Sequence, residues 1–425
     1  MLLRFRVTNF RSFRTEQTLS MVAGPIRDRV ETVFHPPGVE DGVLPVAAIY
    51  GANASGKTNV ILALQFMRAA VQNSHARWEP DKPIQLEPFA GESASPTTLA
   101  VDFLLDGVRY QYGFSMSPEA VLEEWVFAYP LGKKQTWFAR KNGKPISFSA
   151  KLAGDNRTIE RLIRPNSLFL SAAAQNNHEA LSPIFRCFSR SLSFVVGERS
   201  EVRRQTIALC QDAAFRDKLA GLLSLADLGI ADLLVEDAVM PESGRELAHK
   251  LGSFLQGAFK IPFNLHEKKE VHFLHRIGDS TLPFREEQES KGTIAFLSLL
   301  APVLRALDGG GVVCVDELDD SLHSLLAMEV IRLFSDAKRN PKGAQLIFNT
   351  HDTNLLSADV LRRDQIWFTE KARDGASQLY PLTDFKPRRE ENLENGYLQG
   401  RYGAIPFLNP GSFLASGSDG HEEER

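Results

Sequence analysis

Cysteine is scarce in this chain, and its few cysteines form no metal-binding pattern. Cys187, Cys210 and Cys314 are far apart and odd in number, whereas zinc sites space cysteines about two to four residues apart. The set therefore argues against a cysteine-based zinc site and against a disulfide framework, and it is typical of reduced thiols in a cytosolic protein. Cys314 lies in an apolar run, so we expect it in the core.

Long apolar runs are missing as well. No uninterrupted apolar stretch reaches the roughly 18 residues that a membrane-spanning helix needs, and the first residues, MLLRFRVTNF, lack the apolar stretch of a signal peptide. We therefore expect a cytoplasmic protein without a membrane segment. With a net charge of −4 and a pI near 6.2, the chain also lacks the overall positive charge typical of nucleic-acid binding, although a local basic groove stays open.

A glycine-rich loop follows an apolar strand near the beginning of the chain. GANASGKTN comprises Gly51, Ala52, Asn53, Ala54, Ser55, Gly56, Lys57, Thr58 and Asn59, and it fits the pattern G-x-x-x-x-G-K-[ST]. The glycines allow backbone N–H groups to curl around phosphates at the positive end of the following helix. Lys57 is expected to reach the β- and γ-phosphates, and the Thr58 hydroxyl to bind Mg²⁺. The motif therefore predicts a site for ATP with Mg²⁺.

Two later strands end in groups that hydrolysis needs. VVCVDE ends in Asp316, expected to hold Mg²⁺ through water, and Glu317, expected to act on the attacking water as a general base. His351 ends AQLIFNTH, where a neutral imidazole can hydrogen-bond the γ-phosphate and the attacking water; a purely structural histidine is the other interpretation. We predict that Lys57, Glu317 and His351 are catalytic and that Thr58 and Asp316 bind the metal.

The segment ESKGT opens the helix before the acidic strand. Ser290 has the side chain of an ordinary helix N-cap. A serine hydroxyl and backbone N–H groups at a helix start can also grip a phosphate. Because the glycine loop already grips one nucleotide, we interpret Ser290 and Gly292 as contacts to the nucleotide of a second copy of the chain.

The order of patterns predicts a divided α/β fold: a split P-loop NTPase with a mixed β-sheet lobe and an inserted, mainly helical lobe. Strand, loop and helix come first, and helix, strand, helix and strand return after roughly 200 residues, which is enough for a separate lobe. The predicted parts are an N-terminal ATPase half (1–84), a β-rich lobe of the ATPase head (85–150), a mainly helical insertion suited to docking a partner (151–285), a C-terminal ATPase half (286–410) and a disordered acidic tail (411–425).

In this order, NFRSF, GANASGKTN, ESKGT, VVCVDELDDSLH and FNTHD resemble the ATP-binding cassette type of ATPase. The resemblance is to the soluble branch that includes SMC proteins, RecF and the OLD (overcoming lysogenization defect) family. ESKGT, DELDDSLH and the late stretch GYLQGRYGAIPF are most similar to RloA-like, AAA-family ATPases of bacterial anti-phage and abortive-infection operons. The resemblance does not extend to the insertion from about 150 to 260.

The resemblance implies two ATPase heads that close around ATP. Ser290 and Gly292 would be the signature motif that contacts the γ-phosphate of the opposite subunit, Asp319 the D-loop residue at the dimer seam, and His351 the switch histidine. The sequence departs from the family pattern at ESKGT, which replaces the LSGGQ of transporters. The glutamine that usually follows the first lobe has only Gln85 as a candidate, and no heptad stretch predicts coiled-coil arms.

Other nucleotide-dependent functions fit the motifs less well. A GTPase would carry an N-K-x-D element, which is absent, and a small-molecule kinase would not need ESKGT or a glutamate directly after Asp316. OLD proteins carry a nuclease after the ATPase, but no separate Glu and Asp-x-Asp set follows His351, so any nuclease or toxin is expected on another chain.

We therefore expect a Mg²⁺-dependent ATPase that forms a dimer or higher even oligomer. It would act as the sensor and regulator of a separately encoded nuclease or toxin in bacterial anti-phage defence. A DNA-repair ATPase of the RecF or SMC type and a slow-cycling, nucleotide-gated scaffold are the alternatives. The lobe around the basic pair Arg203–Arg204 would dock the partner, or else it merely caps the ATPase core.

Overall fold

The computed structural model describes residues 1–141, 143–197, 200–225, 229–237 and 269–405. The predicted acidic tail, 411–425, and the helical pattern around 244–259 lie outside this part of the chain. The described strands are β1 (Leu2–Thr8), β2 (Gln17–Ser20), β3 (Val46–Gly51), β4 (Thr97–Leu105), β5 (Val108–Met116), β6 (Val121–Tyr129), β7 (Gln135–Lys141), β8 (Ser147–Phe148), β9 (Leu192–Val195), β10 (Ile230–Asp237), β11 (Lys269–Ile277), β12 (Ser280–Arg285), β13 (Val312–Val315), β14 (Gln345–Asn349), β15 (Ile366–Lys371) and β16 (Ser377–Pro381). The described helices are α1 (Lys57–Asn73), α2 (Asn156–Leu162), α3 (Phe169–Gln175), α4 (Ser182–Arg190), α5 (Ser200–Leu209), α6 (Ala213–Leu225), α7 (Lys291–Gly309), α8 (Ser324–Ser335) and α9 (Leu393–Leu398).

A central sheet unites the two ends of the chain. Its strand order is β16-β15-β3-β14-β13-β9, and every neighbouring pair is parallel except β15 and β16. Strand β3, from the beginning of the chain, lies between β14 and β15, from its end. Because parallel strands have their carboxyl ends at the same edge, the segments that follow β3, β13 and β14 meet there.

Alternate side chains of the central strands belong to two hydrophobic cores, as the two-residue period of a strand dictates. On β3, Ala47 and Ile49 face the core shared with α1 and the antiparallel sheet. Val46, Ala48 and Tyr50 face the core shared with α7 and α8. The strand is thus buried on both sides, which explains its continuous apolar run.

A second sheet is entirely antiparallel, with the order β2-β1-β4-β5-β6-β7-β8. Strands β4 to β8 follow one another through short turns, of which Asp106–Gly107 has positive φ at both residues (50° and 75°). This geometry matches the two-residue hairpin turn that joins β4 to β5. A three-stranded sheet, β10-β11-β12, makes up part of the predicted insertion.

The predicted α/β fold class is confirmed, and the structure adds two departures from the predicted parts. Strands β1 and β2, predicted with the first ATPase half, pair within the sheet of the β-rich lobe. Strand β9, inside the predicted helical insertion, is an edge strand of the central sheet, where it pairs with β13. LSFV is too short for its period to stand out between helices, and its partner is distant in sequence. The domain boundaries themselves stay a prediction.

Among the described helices, α7 alone is long and apolar enough to cross a membrane by length and composition, but 61% of that stretch is buried inside the protein. Ser290 caps its beginning, and Gly310, at φ 72°, ends it. Its buried side chains join the core beneath β13 and α8. The helix is therefore placed as a core helix that carries the ESKGT segment at its start.

Candidate functional site

The glycine loop joins β3 to α1, and β15 and β16 lie close against it at Gly51 and Gly56. A Cβ atom at Gly51 would lie 2.4 Å from the carbonyl oxygen of Thr369, and one at Gly56 would lie 2.6 Å from the Ser377 hydroxyl. The buried Ser55 hydroxyl lies 2.6 Å from the Thr369 hydroxyl. Glycine is thus required by the close approach of β15 and β16, and at Gly56 also by a φ of 109°.

Lys57 begins α1, and its side chain turns back over the loop. Its Nζ donates to the carbonyl oxygens of Gly51 (2.9 Å) and Ala52 (3.0 Å). The residue is only 6% exposed, and this burial lowers its pKa to about 8, while the carboxylates that follow β13 oppose the shift. A cation is therefore held between the loop and a group of carboxylates, as a site for a metal-bound triphosphate requires.

Asn349, the last residue of β14, holds the acidic pair in place. Its Oδ1 accepts a hydrogen bond from the backbone N–H of Glu317 at 2.6 Å, and its Nδ2 donates to Oδ1 of Asp316 at 2.5 Å. Its carbonyl oxygen accepts from the N–H of Leu318 at 3.0 Å. Glu317 has a φ of 53°, which is uncommon outside glycine. The turn after β13 is thus fixed by one fully buried amide side chain.

Asn349 is not among the site residues predicted from the sequence, where the histidine two residues later is the candidate at the end of this strand. The available signal was a polar residue at the end of an otherwise apolar, buried strand. Such a residue must find hydrogen-bond partners, since a buried amide without them is costly. Its partners could not be inferred, because β13 and β14 become neighbours only in the folded sheet.

His351 and Asp319 contact each other at the same edge. The backbone N–H of His351 lies 3.3 Å from both carboxylate oxygens of Asp319 and donates to them. Partial desolvation and the Lys57 ammonium lower the pKa of His351 below its usual value. The ring is therefore neutral near pH 7, which is the state that its predicted role requires.

The donor set at this edge fits Mg²⁺ with a nucleotide. Thr58 is half-buried in the first turn of α1, and Asp316 is half-buried beyond β13. Hydroxyl and carboxylate oxygens are the ligands that Mg²⁺ prefers, and it takes only one or two from the protein when phosphates supply the others. Thr58 and Asp316 would hold the ion, and the Lys57 ammonium over the loop would offset the charge of the phosphates.

The turn around NFRSF lies against this loop, which gives the motif a structural role. The side-chain amide of Asn59 donates to the Ser12 hydroxyl at 2.7 Å, and a Cβ at Gly56 would lie 2.8 Å from the same hydroxyl. Arg11, at φ 50°, forms an ion pair with Glu87 at 2.8 Å. The beginning of the chain therefore supports the far side of the phosphate loop.

Ser290 and Gly292 occupy a separate place at the start of α7. The exposed Ser290 accepts from the N–H of Thr293 at 3.0 Å, as an N-cap does. A Cβ at Gly292 would lie 2.9 Å from the carbonyl oxygen of Ser321, just beyond the acidic segment. Among the described residues, no hydrogen bond joins Ser290 to the loop of its own chain. Contact with a second copy stays a prediction.

The residues just before Ser290 are tied to the inserted lobe. Nε2 of His275, on β11, lies 2.5 Å from Oε1 of Glu289, and Arg203, on α5, forms an ion pair with Glu286. The start of α7 is thus connected to two elements of the lobe.

Gln85, the candidate for the glutamine after the first lobe, is exposed. Its amide donates to the carbonyl oxygen of Pro83 at 3.5 Å. Its assignment stays a prediction.

Solved structures with a similar chain path include SMC heads. The SMC head domain from Thermotoga maritima is 15% identical, covers 89% of this chain and 98% of that chain, and gives a TM-score of 0.41. An SMC head bound to the C-terminal winged-helix domain of ScpA is 14% identical, covers 89% and 96% of the two chains, and gives 0.41. The SMC head with an extended coiled coil bound to the C-terminal domain of ScpA, from Pyrococcus furiosus, is 14% identical, covers 94% and 98%, and gives 0.38.

No curated protein matches the chain. One family model does, over residues 46–357, and it is described as "AAA domain, putative AbiEii toxin, Type IV TA system". The matched region contains the phosphate loop, ESKGT, the acidic pair and His351, whereas NFRSF and GYLQGRYGAIPF, which also carried the resemblance, lie outside it. Because the match extends over well more than half of the sequence, the chain belongs to this family of AAA domains.

Proposed function

We propose that this protein is a Mg²⁺-dependent ATP hydrolase whose heads close in pairs around ATP. The observation that carries the proposal is the arrangement at one sheet edge. The phosphate loop with Lys57 follows β3, and Asp316 and Glu317 follow β13, held by Asn349 at the end of the intervening β14. Each group has a backbone or side-chain contact that fixes its position. This is the arrangement expected for phosphoryl transfer to water, in which positioning and charge stabilisation supply most of the catalysis.

The residues have distinct roles in this reaction. The loop N–H groups and Lys57 bind the phosphates, and Thr58 and Asp316 hold Mg²⁺, which neutralises charge that develops on the phosphate oxygens. Glu317 orients the attacking water and accepts its proton. The neutral His351 hydrogen-bonds the γ-phosphate.

The test is phosphate release from ATP by the purified protein, compared with its variants. Glu317→Gln should keep ATP binding and lose about 10²–10⁴ in rate, because it removes the base and leaves the phosphate loop intact. Glu329→Gln is a matched control, since Glu329 forms an exposed ion pair with Arg332 on α8 and should keep the wild-type rate. Hydrolysis by Glu317→Gln at the wild-type rate would show that the base is assigned wrongly.

Pairing of heads is supported by the exposed start of α7. Ser290 and the backbone N–H groups beside it form a helix N-terminus that attracts phosphate, and Ser290 makes no hydrogen bond with the chain's own loop among the described residues. Light scattering on Glu317→Gln with ATP and Mg²⁺ should give the mass of a dimer or a higher even assembly. A monomer at tens of micromolar with ATP bound would contradict the pairing.

We further infer that the inserted lobe docks a separately encoded effector, a nuclease or toxin, in a cytoplasmic anti-phage system. The family description refers to toxin–antitoxin systems, and the sheet β10-β11-β12 carries three exposed large apolar residues, Leu234, Ile277 and Leu282, which supports a docking role. Co-expression with the adjacent gene, pull-down and phage challenge test this inference. Protection that survives Lys57→Ala, or that needs no second protein, would contradict it.

A further inference from the structure

We propose that Asn349 is the residue that positions both members of the acidic pair, Asp316 and Glu317, for hydrolysis. The inference rests on the proposed function and deepens it. Two contacts of one side chain carry it: the amide oxygen accepts from the backbone N–H of Glu317, and the amide nitrogen donates to the carboxylate of Asp316.

The chemistry of the side chain explains why an amide stands here. Asparagine offers an acceptor and a donor on the same carbon, and the two neighbours require one of each. An aspartate would keep an acceptor for the Glu317 N–H but would direct a second negative oxygen at Asp316. A leucine of similar size would satisfy neither contact.

The position of Asn349 in the sheet makes it a link between the loop and the acidic pair. It lies on β14, opposite Ile49 of β3, and its carbonyl oxygen and side chain hold the turn after β13. Its side chain is fully buried, so neighbouring strands fix its orientation. Since Asn349 hydrogen-bonds a proposed metal ligand, it orients that ligand without touching the nucleotide.

The single contact to Asp316 fixes the rotation of that carboxylate. The contact to the Glu317 N–H stabilises the left-handed backbone (φ 53°) from which the side chain of the base projects. Loss of Asn349 should therefore misplace the metal ligand and the base together, while Lys57 and the glycine loop keep their geometry.

The experiment compares Asn349→Asp and Asn349→Leu with the same changes at Asn340. Asn340 is also fully buried, and its amide donates to the carbonyls of Phe334 and Ala344 and accepts from the Ala344 N–H. The Asn340 variants therefore report the cost of losing a buried amide away from the site. Thermal unfolding gives the folded fraction of every variant.

We expect both Asn349 variants to lower kcat about 10- to 100-fold per folded molecule, with the affinity for ATP in EDTA within threefold of wild type. In Asn349→Leu, Mg²⁺ should no longer strengthen the binding of a non-hydrolysable ATP analogue as it does in wild type. The Asn340 variants should lower stability and leave kcat and the Mg²⁺ effect unchanged.

The positioning role would be overturned if the Asn349 variants kept the wild-type kcat and the wild-type strengthening of analogue binding by Mg²⁺. It would also be overturned if their loss of kcat were no larger than that of the Asn340 variants. The binding readout separates this failure from failure of the proposed function. A wild-type protein that hydrolyses nothing would sink the hydrolase proposal, whereas a Mg²⁺-dependent affinity that Asn349→Leu abolishes would still support the role in orienting Asp316.

Discussion

Two helix starts in this protein carry residues predicted to contact phosphate, and the structure holds them in different ways. At α1, Gly51 and Gly56 have no room for a Cβ because β15 and β16 approach the loop. At α7, Ser290 is exposed and caps its own helix, and the segment before it is tied to the inserted lobe through His275 and Arg203.

Under the proposed function, the difference separates nucleotide binding from the pairing of heads. The start of α1 is complete within one chain, because the groups that shape it are buried strands of the same sheet. The start of α7 is held to the lobe by one half-buried ion pair and one histidine–carboxylate hydrogen bond, each of which contributes about 1 kcal/mol. A partner that docks on the lobe could therefore shift Ser290 without disturbing the phosphate loop, and the following variants test this contrast.

The largest effect is expected from Gly51→Ala. Its Cβ would lie 2.4 Å from the Thr369 carbonyl, so the loop must move, and we expect the affinity for a fluorescent ATP analogue to fall at least about 100-fold, or about 2.7 kcal/mol. Gly309→Ala is the control, since a Cβ there meets nothing within 4 Å and favours the helix. Affinity within threefold of wild type would show that the loop tolerates a side chain.

Gly292→Ala should affect assembly and spare binding. Its Cβ would lie 2.9 Å from the Ser321 carbonyl, which would displace the start of α7 from the segment after the acidic pair. We expect a roughly tenfold loss of ATP hydrolysis and of ATP-dependent dimer, with ATP affinity unchanged at low protein concentration. Gly309→Ala, in the same helix, again serves as the comparison. If Gly292→Ala lowered the affinity for ATP as much as it lowered dimer formation, α7 would also shape the phosphate-loop site of its own chain.

The dependence of ATP affinity on pH should follow Lys57, whose pKa burial lowers to about 8. An unfolded lysine keeps its proton to about pH 10.4, so between pH 8 and 10.4 the unfolded chain binds more protons than the folded one. The free energy of unfolding of the ATP-free protein therefore rises with pH over this range. Phosphates favour the charged lysine, so ATP affinity should fall about tenfold per pH unit above 8. Titrations from pH 7 to 9.5 measure this, with Lys57→Gln as the non-titrating reference; equal slopes in both proteins would contradict it.

The smallest effect is expected from the contacts between the lobe and α7. Arg203→Met and His275→Leu remove the links to Glu286 and Glu289. Each should raise the ATP concentration needed for dimerisation about two- to fivefold, which corresponds to a loss of about 0.4–1 kcal/mol. Lys218→Met is the matched control, because Lys218 pairs with Asp308 at the other end of α7 (2.8 Å). If all three variants needed the same ATP concentration for dimerisation, the contacts at the start of α7 would have no specific influence on assembly.

The sequence predicted those parts of the fold and site that are local. The loop from Gly51 to Thr58, the acidic strand end and the helix at α7 each lie in one stretch whose period and composition identify it. The contacts that complete the site are not local: Thr369 and Ser377 limit the loop from β15 and β16. No pattern around these residues marks them, because their role depends on which strands become neighbours.

Two further residues illustrate the same limit. Gln345 hydrogen-bonds the backbone of Leu2 and Leu44 and so joins the two sheets, yet in sequence it is an ordinary polar residue before an apolar strand. Ser290 shows the reverse case, since the sequence predicts both a cap and a phosphate contact for it, and the structure shows the cap. The cap forms within one chain and is therefore seen in the structure. A contact with a second copy stays a prediction.

The strand order also has a consequence for synthesis on the ribosome. Ile49 pairs with Asn349 and with Trp367, so β3 has no strand neighbour in its sheet until β14 and β15 have been made. Strands β4 to β8, in contrast, pair with the strands next in sequence. Pairing over such a separation is slow because of the entropy of closing a long loop. A nascent chain therefore carries a complete phosphate-loop sequence long before it can bind ATP, and nucleotide binding reports that the C-terminal strands have folded.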